Sequence, residues 1–111
     1  MVIIASLVLA FTQVALAASR QEHMAKTLAG CKNYMRDTKY SRPYSFDEGF
    51  CTGAIAGIYE AAEDICEAEG VTFDQQVLVV IKYIEERPQR LHELFAKLAY
   101  EALKEAWPCN R

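Results

Sequence analysis

The chain has 111 residues, 52% of them hydrophobic and 24% charged, with a formal net charge of −3. That length holds one domain, and a small acidic surplus excludes the general electrostatic pull toward phosphate backbones on which nucleic-acid binding rests. With 4 cysteines and 2 histidines, few side chains are available for chemistry, so their spacing decides what they mean.

Residues 2–18 (VIIASLVLAFTQVALAA) carry no charge, and Ala15-Leu16-Ala17 places small residues at the −3 and −1 positions of a signal-peptidase site. Residues 1–17 are expected to be a signal peptide. The mature domain would then be residues 18–111, in an envelope or secreted compartment and free of the membrane after cleavage. No Lys or Arg precedes the apolar run, so an uncleaved anchor is the alternative; the run is short for one and is interrupted by Thr12 and Gln13. A helix is expected over about Arg20 to Arg36, with Met24, Leu28, Cys31 and Met35 on one side. The longest connection follows, residues 37–44 (DTKYSRPY), and carries Tyr40, Arg42 and Tyr44.

Ser45-x-x-Glu48 and Thr72-x-x-Gln75 each match the capping box, in which a hydroxyl and a later side chain satisfy each other's orphan amides. Helices should therefore start at about Phe46 and Phe73. The first, read as continuing to Cys66, contains Gly49, Gly53 and Gly57, which cost roughly 2.5 to 3 kcal/mol relative to alanine. With Ala61 they make one smooth ridge flanked by Phe50, Ala54, Ile58 and Ile65. Such a ridge serves either the close approach of a neighbouring helix inside the fold, the simpler use, or self-association into a homodimer. A membrane-embedded glycine dimer is excluded by Glu48, Glu60, Glu63 and Asp64.

The helix after Phe73 places Phe73, Val77, Val80, Ile81 and Ile84 on one stripe, leaving Leu78 and Val79 outside it. The run VLVVI alone also fits a strand, but the capping box and the length favour a helix. Arg87-Pro88 marks the next boundary, because proline suits a first helical position and disfavours helix in the residue before it. From there Leu91, Leu94, Phe95, Leu98, Ala99, Ala102, Leu103 and Ala106 repeat at helical spacing. Glu93, Lys97 and Glu101 line the solvated face. The fold class is all-α: a small, disulfide-tied, up-and-down bundle of about four main helices.

Cys31, Cys51, Cys66 and Cys109 are even in number in a small exported chain, which points to disulfides. They are scattered without a CxxC pair, against the spacing of a zinc site. Cys51 and Cys66 would lie roughly 22 Å apart along one helix, too far to bridge. Cys31 and Cys51 flank the first connection, while Cys66 and Cys109 fall at the opposite end of the bundle. The expected bridges are Cys31–Cys51 and Cys66–Cys109.

No catalytic motif emerges, and no cofactor or metal is expected. His92-Glu93 begins like HExxH, but Ala96 stands where the second histidine belongs. Charge is uneven along the chain: Arg20 to Arg42 holds 6 basic and 2 acidic residues, and Asp47 to Asp74 holds 8 acidic and no basic ones. The acidic stretch, with Glu63 and Glu67 in it, could steer a basic protein partner.

FCTGAIAGIYEAAEDIC resembles the FCxGxxxG…C signature of the Rap/Tai type VI secretion immunity-protein family, and VTFDQQVLVVIKYIEERPQRLHELFAKLAYEALKEAWPC resembles its C-terminal half. The most specific elements are Phe50-Cys51-x-Gly53, Val71-Thr72, Pro88 and Ala106-Trp107-Pro108-Cys109. The resemblance implies a small helical periplasmic protein, often dimeric, that plugs the cleft of a cognate peptidoglycan amidase effector. Onto this chain the motif carries only structural positions: Cys51, Gly53, Gly57, Cys66, Trp107 and Cys109, beside Phe50. For partner contacts the expectation rests on Tyr40, Arg42 and Tyr44, since aromatic and arginine side chains on a loop make effective anchors, and secondarily on Glu63 and Glu67. The competing reading is a periplasmic stress or chaperone-like protein without a toxin partner, holding clients through apolar surface such as Leu78 and Val79.

Overall fold

Two hydroxyl caps set the register of the bundle. Ser45 Oγ accepts from the Glu48 amide at 3.2 Å, and Thr72 Oγ1 accepts from the Gln75 amide at 3.2 Å while Gln75 Oε1 accepts from the Thr72 amide at 2.7 Å. In the computed structural model, which describes residues 2–36 and 45–110, the helices are α1 (Val2–Tyr34), α2 (Phe46–Ala61), α3 (Phe73–Glu85) and α4 (Phe95–Ala106). A 3-10 turn, Pro88–Arg90, links α3 to α4. Among the described residues the one extended pairing is an isolated antiparallel bridge between Ile65 and Pro108.

The core forms where the apolar stripes of the helices meet. Met24 of α1, Cys51 and Ile55 of α2, Val77, Val80 and Ile84 of α3, and Phe95, Leu98 and Leu103 of α4 are buried together. Each large side chain contributes about 1.5 to 3 kcal/mol by leaving water. The stripe expected on α3 is inside, with Phe73 half-buried and Leu78 outside. Described side chains at the start of α1, from Val8 to Leu16, are exposed, and Met24 is the first fully buried one.

Both cysteine pairs are bridged. Cys31–Cys51 joins α1 to α2 with Cα atoms 5.4 Å apart, and Cys66–Cys109 joins the α2–α3 connection to the chain after α4 at 4.9 Å. In the loop-entropy account, rings of 20 and 43 residues stabilise the fold by about 3 and about 4 kcal/mol respectively.

The structure corrects three expectations. First, α2 stops at Ala61 instead of running to Cys66: Ala62 turns extended (φ −81°, ψ 122°) and Ile65 pairs with Pro108. Asp64 accepts from the Tyr100 hydroxyl and lies 3.3 Å from Lys104 Nζ, so α4 draws this segment off the helical path. Second, the last helix begins at Phe95, not at Pro88. Leu94 is its cap residue with ψ 135°, and it is exposed.

Third, the glycine ridge of α2 does not receive a neighbouring helix. Among the described residues, a Cβ added at Gly49, Gly53 or Gly57 would meet nothing within 4 Å. The close approach occurs instead at Gly30 of α1, where a Cβ would lie 2.3 Å from the Asp47 carbonyl oxygen. Helix α1 therefore packs backbone-to-backbone on the start of α2, one residue from the Cys31 bridge.

A polar clasp explains the late start of α4. Arg90 donates from Nη2 to Glu93 Oε1 at 2.9 Å and from Nη1 to Glu101 Oε2 at 2.7 Å, while the Tyr83 hydroxyl donates to Glu101 Oε2 at 3.0 Å. One guanidinium fork thus ties the 3-10 turn to α4, and α3 joins through Tyr83. Arg90, then Lys97, hold the Glu93 carboxyl down at about 2, against an ordinary value of 4.5, and Arg90 lowers Glu101 as well. A carboxylate whose pKa is depressed by folding stabilises fully above its unfolded value and loses that contribution as pH falls through the folded one. Urea midpoints should therefore decline between pH 4.5 and about 2, with a shallower decline in Glu93→Gln.

Candidate partner-binding surface

The described residues contain no group of three or more His, Cys, Asp or Glu arranged to hold a metal. His23 is occupied edge-on against the Phe50 ring, with centroids 4.8 Å apart, and His92 lies exposed on the link into α4. The candidate site is a surface, and α2 carries its most unusual part.

At 100° per residue, the buried Glu48, Cys51 and Ile55 of α2 centre on one side of the helix, and Phe46, Gly53 and Gly57 centre on the opposite side. Among the described residues that outer face is open: Phe46 is 80% exposed at its amino end, and an added Cβ at each of the three glycines that follow meets no described atom within 4 Å. Phe50 ties the face to the core. Its ring lies 6.2 Å from Phe46, 4.8 Å from His23 and 6.4 Å from the buried Phe95, all centroid to centroid. Phe50 is thus a structural post, and Gly53 and Gly57 are surface positions.

Tyr40, Arg42 and Tyr44, the expected anchors, lie outside the described residues. The other expected contacts, on the α2–α3 connection, divide into two kinds. Glu67 Oε2 accepts from Gln76 Nε2 at 2.6 Å, and Gln76 is buried, so Glu67 helps to pin the connection to α3. Glu63 is exposed, as are Glu60 and Glu69. Asp64 is held by α4: the Tyr100 hydroxyl, before Lys104, depresses its pKa, and the same hydrogen bond raises that of Tyr100. The acidic patch is therefore a solvated edge of Glu60, Glu63 and Glu69 backed by two structural carboxylates.

Trp107 ends α4, donating its amide to the Leu103 carbonyl at 2.9 Å, and packs against the core. Its carbonyl accepts from the Cys66 amide at 2.8 Å, beside the Cys66–Cys109 bridge. Trp107, Cys66 and Cys109 come together as one seam closing the end of the bundle.

Sequence reasoning missed Phe46 as an exposed aromatic and Arg90 as the clasp. A signal existed for Phe46, which stands on the helical face opposite Cys51 and Ile55. For Arg90 only the local Arg90-x-x-Glu93 spacing was available. Compared with known proteins, residues 21–109 match the family model for Rap1a immunity proteins. No curated protein and no solved structure matches the chain.

Proposed function

The chain belongs to the Rap1a immunity protein family, and from that premise we propose that it protects the periplasm by binding a peptidoglycan amidase effector of a type VI secretion system. The observation that carries this reading is the extent of the match, which runs from the second part of α1, just before Met24, through α2, α3 and α4 to Cys109. Inhibition would be steric. Two disulfides and a packed core make a body rigid enough to occupy a cleft without paying for reordering on contact.

Export fits the same reading. The described apolar side chains from Val8 to Leu16 are exposed, so losing them on cleavage after Ala17 would take none of the described core residues away. No helix among the described residues is long and apolar enough to cross a membrane. Paired cysteines suit an oxidising compartment. On the surface, the open amino end of α2, with Phe46 two residues after Tyr44 and close behind Tyr40 and Arg42 in the chain, supplies aromatic anchors. The edge of Glu60, Glu63 and Glu69 would steer a basic rim of the effector toward it.

The test is affinity capture by the processed protein in periplasmic and secreted extracts, followed by a peptidoglycan-cleavage assay on what is retained. The expected result is one stoichiometric amidase whose cleavage stops when the protein is added, with an intact mass showing Ala18 at the amino terminus. Replacing Phe46, Tyr40 and Arg42 by alanine should weaken that complex at least about thirtyfold, the effect of losing anchor residues. A broad client list that grows on acidification would overturn the reading in favour of a chaperone.

A further inference from the structure

The two disulfides differ in their access to solvent. Cys31 and Cys51 are both 0% exposed and lie in the core beside Met24 and Ile55, whereas Cys66 is exposed and Cys109 half-buried on the outer seam. Cys109 Sγ lies 3.8 Å from the Glu63 carbonyl oxygen, at an exposed point of the surface. Thiol–disulfide exchange needs a thiolate to reach one sulfur in line with the S–S bond, so access decides which bridge reacts. We propose that Cys66–Cys109 is a thiol-exchange site, opened by a dithiol reductant on the folded protein while Cys31–Cys51 stays closed.

The chemistry balances within the pair of reactants. One thiolate of the dithiol attacks Cys66 Sγ, the Cys66–Cys109 bond breaks, and Cys109 leaves as a thiolate that takes up a proton. The second thiol of the reductant then attacks its own mixed-disulfide sulfur and expels Cys66. Two electrons and two protons pass to the protein, and the reductant ends as a disulfide.

The bundle has reason to survive this. The α2–α3 connection stays tied to α4 through Asp64, Tyr100 and Lys104, and the amide of Cys66 still bonds the Trp107 carbonyl. The first bridge and the core it sits in are untouched. What is unfastened is the exposed strap of Pro108 to Asn110, next to the acidic edge at Glu63. The proposal concerns this chain alone and holds whichever partner it binds.

Dithiothreitol applied to the native protein, with timed alkylation and peptide mass mapping, tests it. Cys66 and Cys109 should be labelled at least about tenfold sooner than Cys31 and Cys51, with far-UV circular dichroism unchanged. The single tryptophan, Trp107, stands two residues from Cys109, and its emission should rise in step as the quenching bridge opens. Simultaneous labelling of all four cysteines with loss of helicity, or earlier labelling of Cys31 and Cys51, would overturn the proposal. A Cys66→Ser/Cys109→Ser variant that keeps a cooperative melt supports it, and one that is unfolded overturns it.

Discussion

Gly30→Ala should destabilise the bundle by about 3 kcal/mol, the upper end of what one extra methyl costs in a packed site. The added Cβ would sit 2.3 Å from the Asp47 carbonyl oxygen, 2.4 Å from its carbon and 2.8 Å from the Glu48 nitrogen, all backbone atoms that no rotamer change can move aside. Alanine's better helix propensity returns only about 1 kcal/mol of the overlap energy. Relief by separating the helices is blocked, because the Cys31–Cys51 bridge holds them at a Cα distance of 5.4 Å one residue away. For a domain of this size the loss corresponds to a fall of about 15 °C in Tm, and in urea to a lower midpoint at unchanged slope. A wild-type melt would show that α2 can slide along α1 at no cost, and the contact at Gly30 would then not determine how α1 and α2 pack.

Why this glycine escaped the sequence while others attracted attention follows from what local patterns carry. Ser45 and Thr72 announced the starts of α2 and α3 because a cap is made within four residues of itself. The cysteine pairing was legible because the ends of an up-and-down bundle meet in alternation. The start of α4 was not legible: Arg90 is held by Glu101, eleven residues on, and no window around Pro88 contains that contact. The ridge of α2 gave its period but not its direction, since the residues on both sides of the helix are mostly uncharged. Gly30 carried no signal at all, being one small residue in an alanine-rich helix. At the surface, Glu63 and Glu67 looked alike in sequence, and only the buried Gln76 beneath Glu67 separates a structural carboxylate from a solvated one.

Replacing Gly49, Gly53 and Gly57 together by alanine should stabilise the protein by about 2.5 kcal/mol, against the usual direction of mutations in a helix-packed domain. Every element of the argument is local. All three sit in α2 with no positive φ, a Cβ at each meets nothing within 4 Å, and alanine removes about 0.8 to 1 kcal/mol of backbone entropy cost per site. The methyls point away from the core, so the gains should add, raising Tm by about 10 to 15 °C. No contact within the described chain offsets what these glycines cost. The decisive comparison is therefore stability against effector capture in the same variant. A more stable protein that captures less would assign the smooth face to a contact outside the chain, either the effector or a second copy, and sedimentation of the variant beside its parent separates those two. Undiminished capture and unchanged sedimentation would leave the glycines without a binding role and Phe46 with Tyr40 and Arg42 as the anchors. A variant no more stable than its parent would mean that α2 does not carry its glycines on an open face.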